Sequence, residues 1–148
     1  MQGGNYELVY QKLNGGQRIL ILKECGKESF FAALAKDPNQ SSKASLIERA
    51  ASRLVANGIN WALASKTLKL LKGATGSIAV YELRVKAKVY RVMTYLHNDV
   101  SRTPILLFDF NGHVRKSKGG IPDAIIARGE TLAMIAKQLL EEESGGRK

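Results

Sequence analysis

The chain has 148 residues, of which 45% are hydrophobic and 24% charged. This composition predicts one folded domain over 1–148, with flexible ends at 1–4 and 144–148, and argues against a disordered protein. The single cysteine, Cys25, excludes an internal disulfide and a cysteine-based zinc site, and it favours a reducing compartment. No apolar run approaches the ~18 residues of a membrane span, and no secretory leader opens the chain. We therefore expect a cytoplasmic protein without a membrane partner.

The N-terminal part predicts a β-hairpin followed by a helix. Strand-like segments at Tyr6 to Leu13 and Arg18 to Lys23 flank Asn14-Gly15-Gly16. Asn and Gly tolerate the positive φ that a hairpin turn requires. Glu28 to Lys36 then shows a helical pattern, which ends at Asp37-Pro38 because proline disfavours helix in the residue before it.

Two helices are predicted in the middle of the chain. Ser42 or Ser45 can cap the first, and Ser45 with Glu48 matches a capping box, in which each side chain satisfies a free amide. Asn57-Gly58 supplies its C-terminal cap. The apolar spacing from Asn60 to Leu71 predicts the second helix.

The C-terminal half predicts three strands and a helix. The strands are expected at Ile78 to Lys86, Lys88 to His97 and Thr103 to Phe110, and the helix from Gly129 or Glu130 to Glu143. Taken with the N-terminal elements, this order predicts an α+β fold with an antiparallel sheet.

The main functional signal is a cluster of cations between Arg84 and Lys118. Eight Lys and Arg residues lie there against only Asp99 and Asp109, which gives a local charge of +6 within a total of +10. Charge this concentrated is typical of a surface that binds RNA or DNA. The alternative is that the excess charge only aids solubility.

Arg91 has an unusual environment for an arginine. It shares its predicted strand face with Met93 and Tyr95. A guanidinium among apolar side chains requires an ion pair or a ligand cleft. Two interpretations stay open: Arg91 pairs with Glu82 or Asp109, or it contacts phosphate.

The segment Gly112 to Gly120 has the composition of an anion-binding loop, in which glycines expose backbone amides and Arg and Lys add charged donors. It lacks the G-x-x-x-x-G-K-[ST] spacing of a nucleotide site, and a solvated loop is the alternative. Within it, His113 is a candidate for proton transfer, with His97 as a second, because histidine is the residue type whose ordinary pKa lies near neutrality. Tyr90 and Tyr95 are candidates for stacking on bases, although aromatic residues in strands usually belong to the core.

The cationic segment contains no Asp, Glu and His cluster suited to Mg²⁺ or Zn²⁺, and we expect no cofactor. RNA can be cleaved without a metal because its own 2′-hydroxyl attacks the adjacent phosphodiester. Such an enzyme needs cations to stabilise the phosphorane and groups that move protons. Arg84, Arg91, Lys116 and Lys118 suit the first role, and His113, or a tyrosine or lysine of perturbed pKa, suits the second.

Several motifs occur together in one order: L-K-G at Leu71 to Gly73, Y-E-L-R at Tyr81 to Arg84, Y-R-V at Tyr90 to Val92, L-L-F-x-F at Leu106 to Phe110, and K-x-K plus proline at Lys116 to Pro122. This combination resembles the RelE/ParE superfamily of toxin–antitoxin toxins, and most of all its phage-derived, HigB-like branch. The resemblance covers about residues 30–122. The pair Y-E-L-R and Y-R-V is its most specific part.

The resemblance implies a RelE-like α+β fold with an antiparallel sheet of about four strands, to which this chain adds an N-terminal hairpin and a C-terminal helix. It implies ribosome-dependent cleavage of mRNA without a metal, and inhibition by a cognate antitoxin of the helix-turn-helix type. The catalytic candidates are then Arg84, Arg91, His113, Lys116 and Lys118. The candidates for RNA binding are Lys86, Lys88, Arg115, Tyr90 and Tyr95.

Two other functions are compatible with the same features. A non-catalytic nucleic-acid-binding protein would use the cations only to hold phosphates. A gyrase poison of the ParE type would share the fold and act on DNA instead of mRNA.

Overall fold

The computed structural model describes residues 5–71, 75–85, 90–99, 102–110 and 121–145. These residues form an α+β fold, as predicted. The strands are β1 (Tyr6–Lys12), β2 (Arg18–Glu24), β3 (Leu68–Leu71), β4 (Val80–Val85), β5 (Tyr90–Leu96) and β6 (Pro104–Asp109). The helices are α1 (Phe30–Lys36), α2 (Ser41–Asn57), α3 (Ile59–Ala64) and α4 (Asp123–Gly145).

The strands form one six-stranded sheet in the order β1-β2-β6-β5-β4-β3. Neighbouring strands run antiparallel except β2 and β6, which are parallel and pair Leu20 with Ile105 and Ile21 with Leu106. The prediction of an antiparallel sheet of about four strands is therefore wrong on two points. The sheet has six strands among the described residues, and one of its strand pairs is parallel. The N-terminal hairpin is not an addition beside the sheet, because its second strand pairs with β6.

The predicted helix from Asn60 to Leu71 is wrong in its second half. Helix α3 ends at Ala64, Lys66 adopts a left-handed φ of 64°, and β3 follows. Leu68 pairs with Leu83 of β4 and is buried. The apolar residues in this stretch fit a helical spacing, but the pairing with β4 decides the conformation, as often happens for short apolar segments.

Helix α2 begins at Ser41, earlier than the predicted capping box, and its N-cap residue Gln40 makes no capping side-chain bond. Glu48 lies inside the helix, where its Oε2 accepts the Asn14 N–H at 2.5 Å. The capping box is therefore wrong, and Glu48 instead ties the hairpin turn to α2. The predicted C-cap is confirmed, since Gly58 has φ 91° there.

Helix α4 is longer than predicted, beginning at Asp123 and including Gly129 in its interior. A Cβ at Gly129 would lie 2.7 Å from the sulfur of Met93 in β5 and 2.9 Å from its Cγ. Glycine is weak in a helix interior, but here its missing side chain lets the helix approach the sheet closely.

The sheet has an apolar core on each face. On one face, α1 to α3 cover residues such as Leu83 and Val92. On the other, α4 covers residues such as Met93 and Ile105. Since helices occupy both faces, exposed groups of the sheet lie at its ends and edges. None of the helices in the described ranges is long and apolar enough to cross a bilayer.

Candidate functional site

Strands β4, β5 and β6 have, at one end of the sheet, the residues that flank the predicted cationic segments in sequence. Val85, the last residue of β4, pairs with Tyr90, the first of β5, and the Phe110 N–H donates to the Arg91 carbonyl at 3.0 Å. These residues border segments 86–89 and 111–120, which lie outside the described residues and carry much of the predicted charge in their sequence. We call this end of the sheet the arginine end.

Glu82, Arg84 and Arg91 form a cluster there, which we call the arginine cluster. Arg84 and Arg91 are directly opposite each other on β4 and β5, an arrangement of like charges that destabilises a sheet unless something offsets it. Glu82, only 3% exposed, offsets it: its Oε2 lies 2.5 Å from Arg84 Nε and 2.7 Å from Arg91 Nη1. One carboxylate thus serves two guanidinium groups, so the cluster retains one positive charge.

The cluster is largely shielded from solvent. The Arg84 and Arg91 side chains are 14% and 12% exposed, on the sheet face that α4 covers farther along. Arg91 Nε is buried and has no hydrogen-bond partner among the described residues. The predicted ion pair between Arg91 and Glu82 is confirmed, and the predicted contact with phosphate stays a prediction. Each guanidinium has five N–H donors, so the bonds to Glu82 use only part of the hydrogen-bonding capacity of Arg84 and Arg91.

A second ion pair occupies the opposite face at the same end. Lys43 of α2 is buried and places its Nζ 2.5 Å from Asp109 Oδ2 and 5.1 Å from the centre of the Tyr90 ring. Asp109 was one of two predicted partners for Arg91, and that alternative is wrong because Lys43 holds it. Sequence reasoning missed Lys43. The only signal was Asp109 itself, an acid at the end of an apolar strand that needs a cation.

Tyr95 lies at the other end of β5 from Arg91 and is 4% exposed. Its hydroxyl lies 3.3 Å from His97 Nδ1. Burial raises the pKa of the Tyr95 phenol to about 12, with the Glu141 and Asp99 carboxylates adding to the rise. At neutral pH the side chain is therefore a protonated phenol packed in the core, whereas Tyr90 borders the arginine end.

The remaining predicted site residues lie outside the described residues. They are Lys86, Lys88, His113, Arg115, Lys116 and Lys118. Among the described ranges, no group of three or more His, Cys, Asp or Glu side chains is arranged to hold a metal ion. What the structure brings together is thus the cluster of Arg84, Arg91 and Glu82, whereas Tyr90 packs on the opposite face of the sheet, beside Lys43.

Chemically, the arginine cluster is suited to an oxyanion. A guanidinium presents its N–H groups as a rigid fork that matches phosphate or carboxylate, and Glu82 holds two such forks on adjacent strands. No protein family, no curated protein and no solved structure matches this chain. The residues themselves therefore carry the functional argument.

Proposed function

We propose that the chain is an mRNA-cleaving toxin of a toxin–antitoxin system, which binds RNA at the arginine end and cuts it without a metal. The observation that carries the proposal is the charge of the arginine cluster, where two guanidinium groups share one carboxylate. The resemblance of Y-E-L-R and Y-R-V to the RelE/ParE superfamily adds support, because the arginines of these two motifs are cross-strand neighbours.

In the proposed reaction the 2′-oxygen of a ribose forms a bond to the adjacent phosphorus, and the bond from phosphorus to the 5′-oxygen of the next nucleotide breaks. A base accepts the 2′-hydroxyl proton, and an acid donates one to the leaving oxygen. Arg84 and Arg91 stabilise the doubly charged phosphorane, and Glu82 fixes their orientation in advance. Lys116 and Lys118 are further candidates for stabilising the phosphorane, and His113 is the candidate for proton transfer.

A second candidate function is nucleic-acid binding without cleavage. The observation in its favour is the low exposure of the two arginine side chains, 14% and 12%, which limits their access to an RNA strand. In that case Arg84 and Arg91 stabilise the sheet through Glu82, and the cations in the sequence of 86–89 and 111–120 hold the phosphates.

The test adds purified protein to ribosomes that translate a defined mRNA and maps the ends of any fragments. Attack by the 2′-hydroxyl leaves a 2′,3′-cyclic phosphate, and a 2′-deoxy nucleotide at the cut position abolishes cleavage. We expect Arg91→Lys to slow the cut by about 10²-fold or more, since its donors stabilise the transition state. Arg53→Lys on the exposed face of α2 is the matched control and keeps the rate.

Three outcomes contradict the proposal. Intact mRNA with strongly salt-dependent RNA binding identifies the non-catalytic function. Intact mRNA with cleaved DNA in a gyrase supercoiling assay identifies the poison. Cleavage that Arg91→Lys leaves unchanged, in a variant that melts like the wild type, removes Arg91 from the site.

A further inference from the structure

Strand β1 is an open edge of the sheet. It is the first strand in the order β1-β2-β6-β5-β4-β3, and its seven residues pair with β2 along their whole length. Among the described residues nothing pairs with its outer side. An edge strand presents a row of free N–H and C=O groups, which is a template for another strand.

The hydrogen-bond pattern between β1 and β2 shows which residues of β1 point their backbone N–H and C=O groups away from the sheet. Leu13 N–H donates to the Gln17 carbonyl at 2.7 Å, and Cys25 N–H donates to the Asn5 carbonyl at 2.9 Å. Hydrogen-bonded pairs alternate in an antiparallel ladder, so the odd-numbered residues of β1 bond to β2. The even-numbered ones therefore point their peptide groups away from the sheet, and these are Tyr6, Leu8, Tyr10 and Lys12.

This edge lacks the usual protection. Native edge strands are blocked by proline, bulges or several charges, whereas β1 has no proline, pairs with β2 without a register shift, and carries only Glu7 and Lys12 as charges. Tyr10 is 64% exposed, with the Arg18 guanidinium 4.5 Å from its ring centre. Within the described part of the chain, the outer side of β1 thus offers backbone groups and an aromatic side chain that no other segment covers.

We infer that the occupant of this edge is a second copy of the chain, whose β1 pairs antiparallel with the first to give a continuous twelve-stranded sheet. The argument is self-complementarity. With the two-fold axis at Val9, Leu8 faces Tyr10 and Tyr6 faces Lys12, so every outward peptide group finds a partner. Glu7 faces Gln11, and no like charges lie opposite each other, which would destabilise the pair.

Strand β1 itself carries no net charge, because Glu7 and Lys12 balance, and Glu7 also pairs with Lys23 of β2 at 2.5 Å. Arg91 and Arg84 lie three and four strand positions away, roughly 14 and 19 Å at the usual strand spacing. Both distances exceed the Debye length of about 8 Å at physiological ionic strength. Salt therefore screens most of the electrostatic interaction between this sheet edge and the arginine cluster.

Two substitutions at Tyr10 test the inference by sedimentation velocity. Tyr10→Pro removes an outward N–H that β2 does not use, and proline is tolerated at such edge positions. Tyr10→Thr removes the same ring and the contact with Arg18 but keeps the N–H. We expect the wild type and Tyr10→Thr to form dimers, and Tyr10→Pro to raise the dissociation constant by more than about tenfold because a central pair loses its bond.

The result that overturns the inference is a wild type that stays monomeric at its highest soluble concentration, or a Tyr10→Pro variant that dimerises as tightly as Tyr10→Thr. Circular dichroism and thermal melting verify that both variants fold. This test does not depend on RNA cleavage, so its outcome and that of the proposed function are independent.

A cross-linking experiment tests the register. In a Cys25→Ser background, Val9→Cys brings two cysteines together on the two-fold axis, with Cα atoms about 4.5 Å apart, within the range for a disulfide. Gln11→Cys is the control, because its symmetry mate is four residues away, roughly 13 Å. We expect an interchain disulfide only with Val9→Cys. If neither variant forms the interchain disulfide, or if both form it equally, the dimer uses another surface or another register.

Discussion

At the residue scale, the arginine cluster depends on Glu82. Its carboxylate is buried and accepts from Arg84 and from Arg91 through the same oxygen. If this carboxylate were neutral, the two guanidinium groups would face each other across adjacent strands with no counter-charge between them. Breaking a buried pair in this way costs far more than losing an exposed one, because an uncompensated charge stays buried.

We therefore expect Glu82→Gln to lower the free energy of unfolding by about 3–5 kcal/mol. The measurement is urea denaturation followed by circular dichroism. Glu141→Gln is the matched control: its contact with Lys137 is 3.9 Å long and exposed, and such pairs contribute less than about 1 kcal/mol. Equal losses in the two variants would mean that the cluster does not act as a buried ion pair.

The sequence predicted that Arg91 needs a partner, because a guanidinium on an apolar strand face is costly to bury. It left open whether Glu82 or Asp109 supplies the charge, since that depends on strand pairing and on competing cations. Lys43 is the competitor that takes Asp109. It lies far from Asp109 in the chain, and local patterns carry no information on such a pair.

At the scale of elements, the packing of α4 on β5 depends on a missing side chain. Gly129 faces Met93, which is fully buried and cannot move toward solvent. Two effects of a methyl group at this position oppose each other. Alanine is the better helix former by about 1 kcal/mol, whereas overpacking of a dense core costs about 1–3 kcal/mol.

Because Met93 is confined, we expect overpacking to outweigh propensity, so that Gly129→Ala lowers the free energy of unfolding in urea denaturation. A double-mutant cycle isolates the cause. In a Met93→Ala background the contact is absent, and Gly129→Ala then stabilises or is neutral. If Gly129→Ala raises stability in the wild-type background, the close approach between α4 and β5 is not limiting.

Most elements follow from local patterns, and the exceptions have physical reasons. Strand-like sequences predicted the five strands other than β3, through alternation in some and continuous apolar runs in β2 and β6. The four residues of β3 are too few to distinguish a strand from a helix by periodicity. The start of α4 was missed because Gly129 interrupts the helical pattern, and its close contact with Met93 is invisible in the sequence.

At the scale of the whole molecule, helices cover both faces of the sheet, and the arginine cluster lies at one of its ends. A polyanion that binds there displaces counterions, so its affinity falls as salt rises, with a slope in log–log form of about 0.7 per phosphate contact for a single strand. This slope counts contacts and is insensitive to residues that only stabilise the fold. The slope therefore distinguishes a role of Arg91 in phosphate contact from a role in stabilising the sheet.

We expect Arg91→Gln to reduce the magnitude of the salt slope by about 0.7 for a short single-stranded RNA measured by fluorescence anisotropy. Arg53→Gln on α2 is the control and leaves the slope unchanged. An Arg91→Gln variant that melts normally and keeps the wild-type slope would assign Arg91 to stability alone.

The parallel contact between β2 and β6 was the feature of the whole molecule that local patterns could not predict. It also sets when a newly made chain can fold. Strand β6 lies in the middle of the sheet, between β2 and β5, and is the last strand among the described residues. Until it leaves the ribosomal exit tunnel, the N-terminal hairpin and the strands β3 to β5 are separate pieces. Although domains often fold from the N-terminus during synthesis, this sheet closes only after β6 has left the tunnel, because β6 joins its two halves.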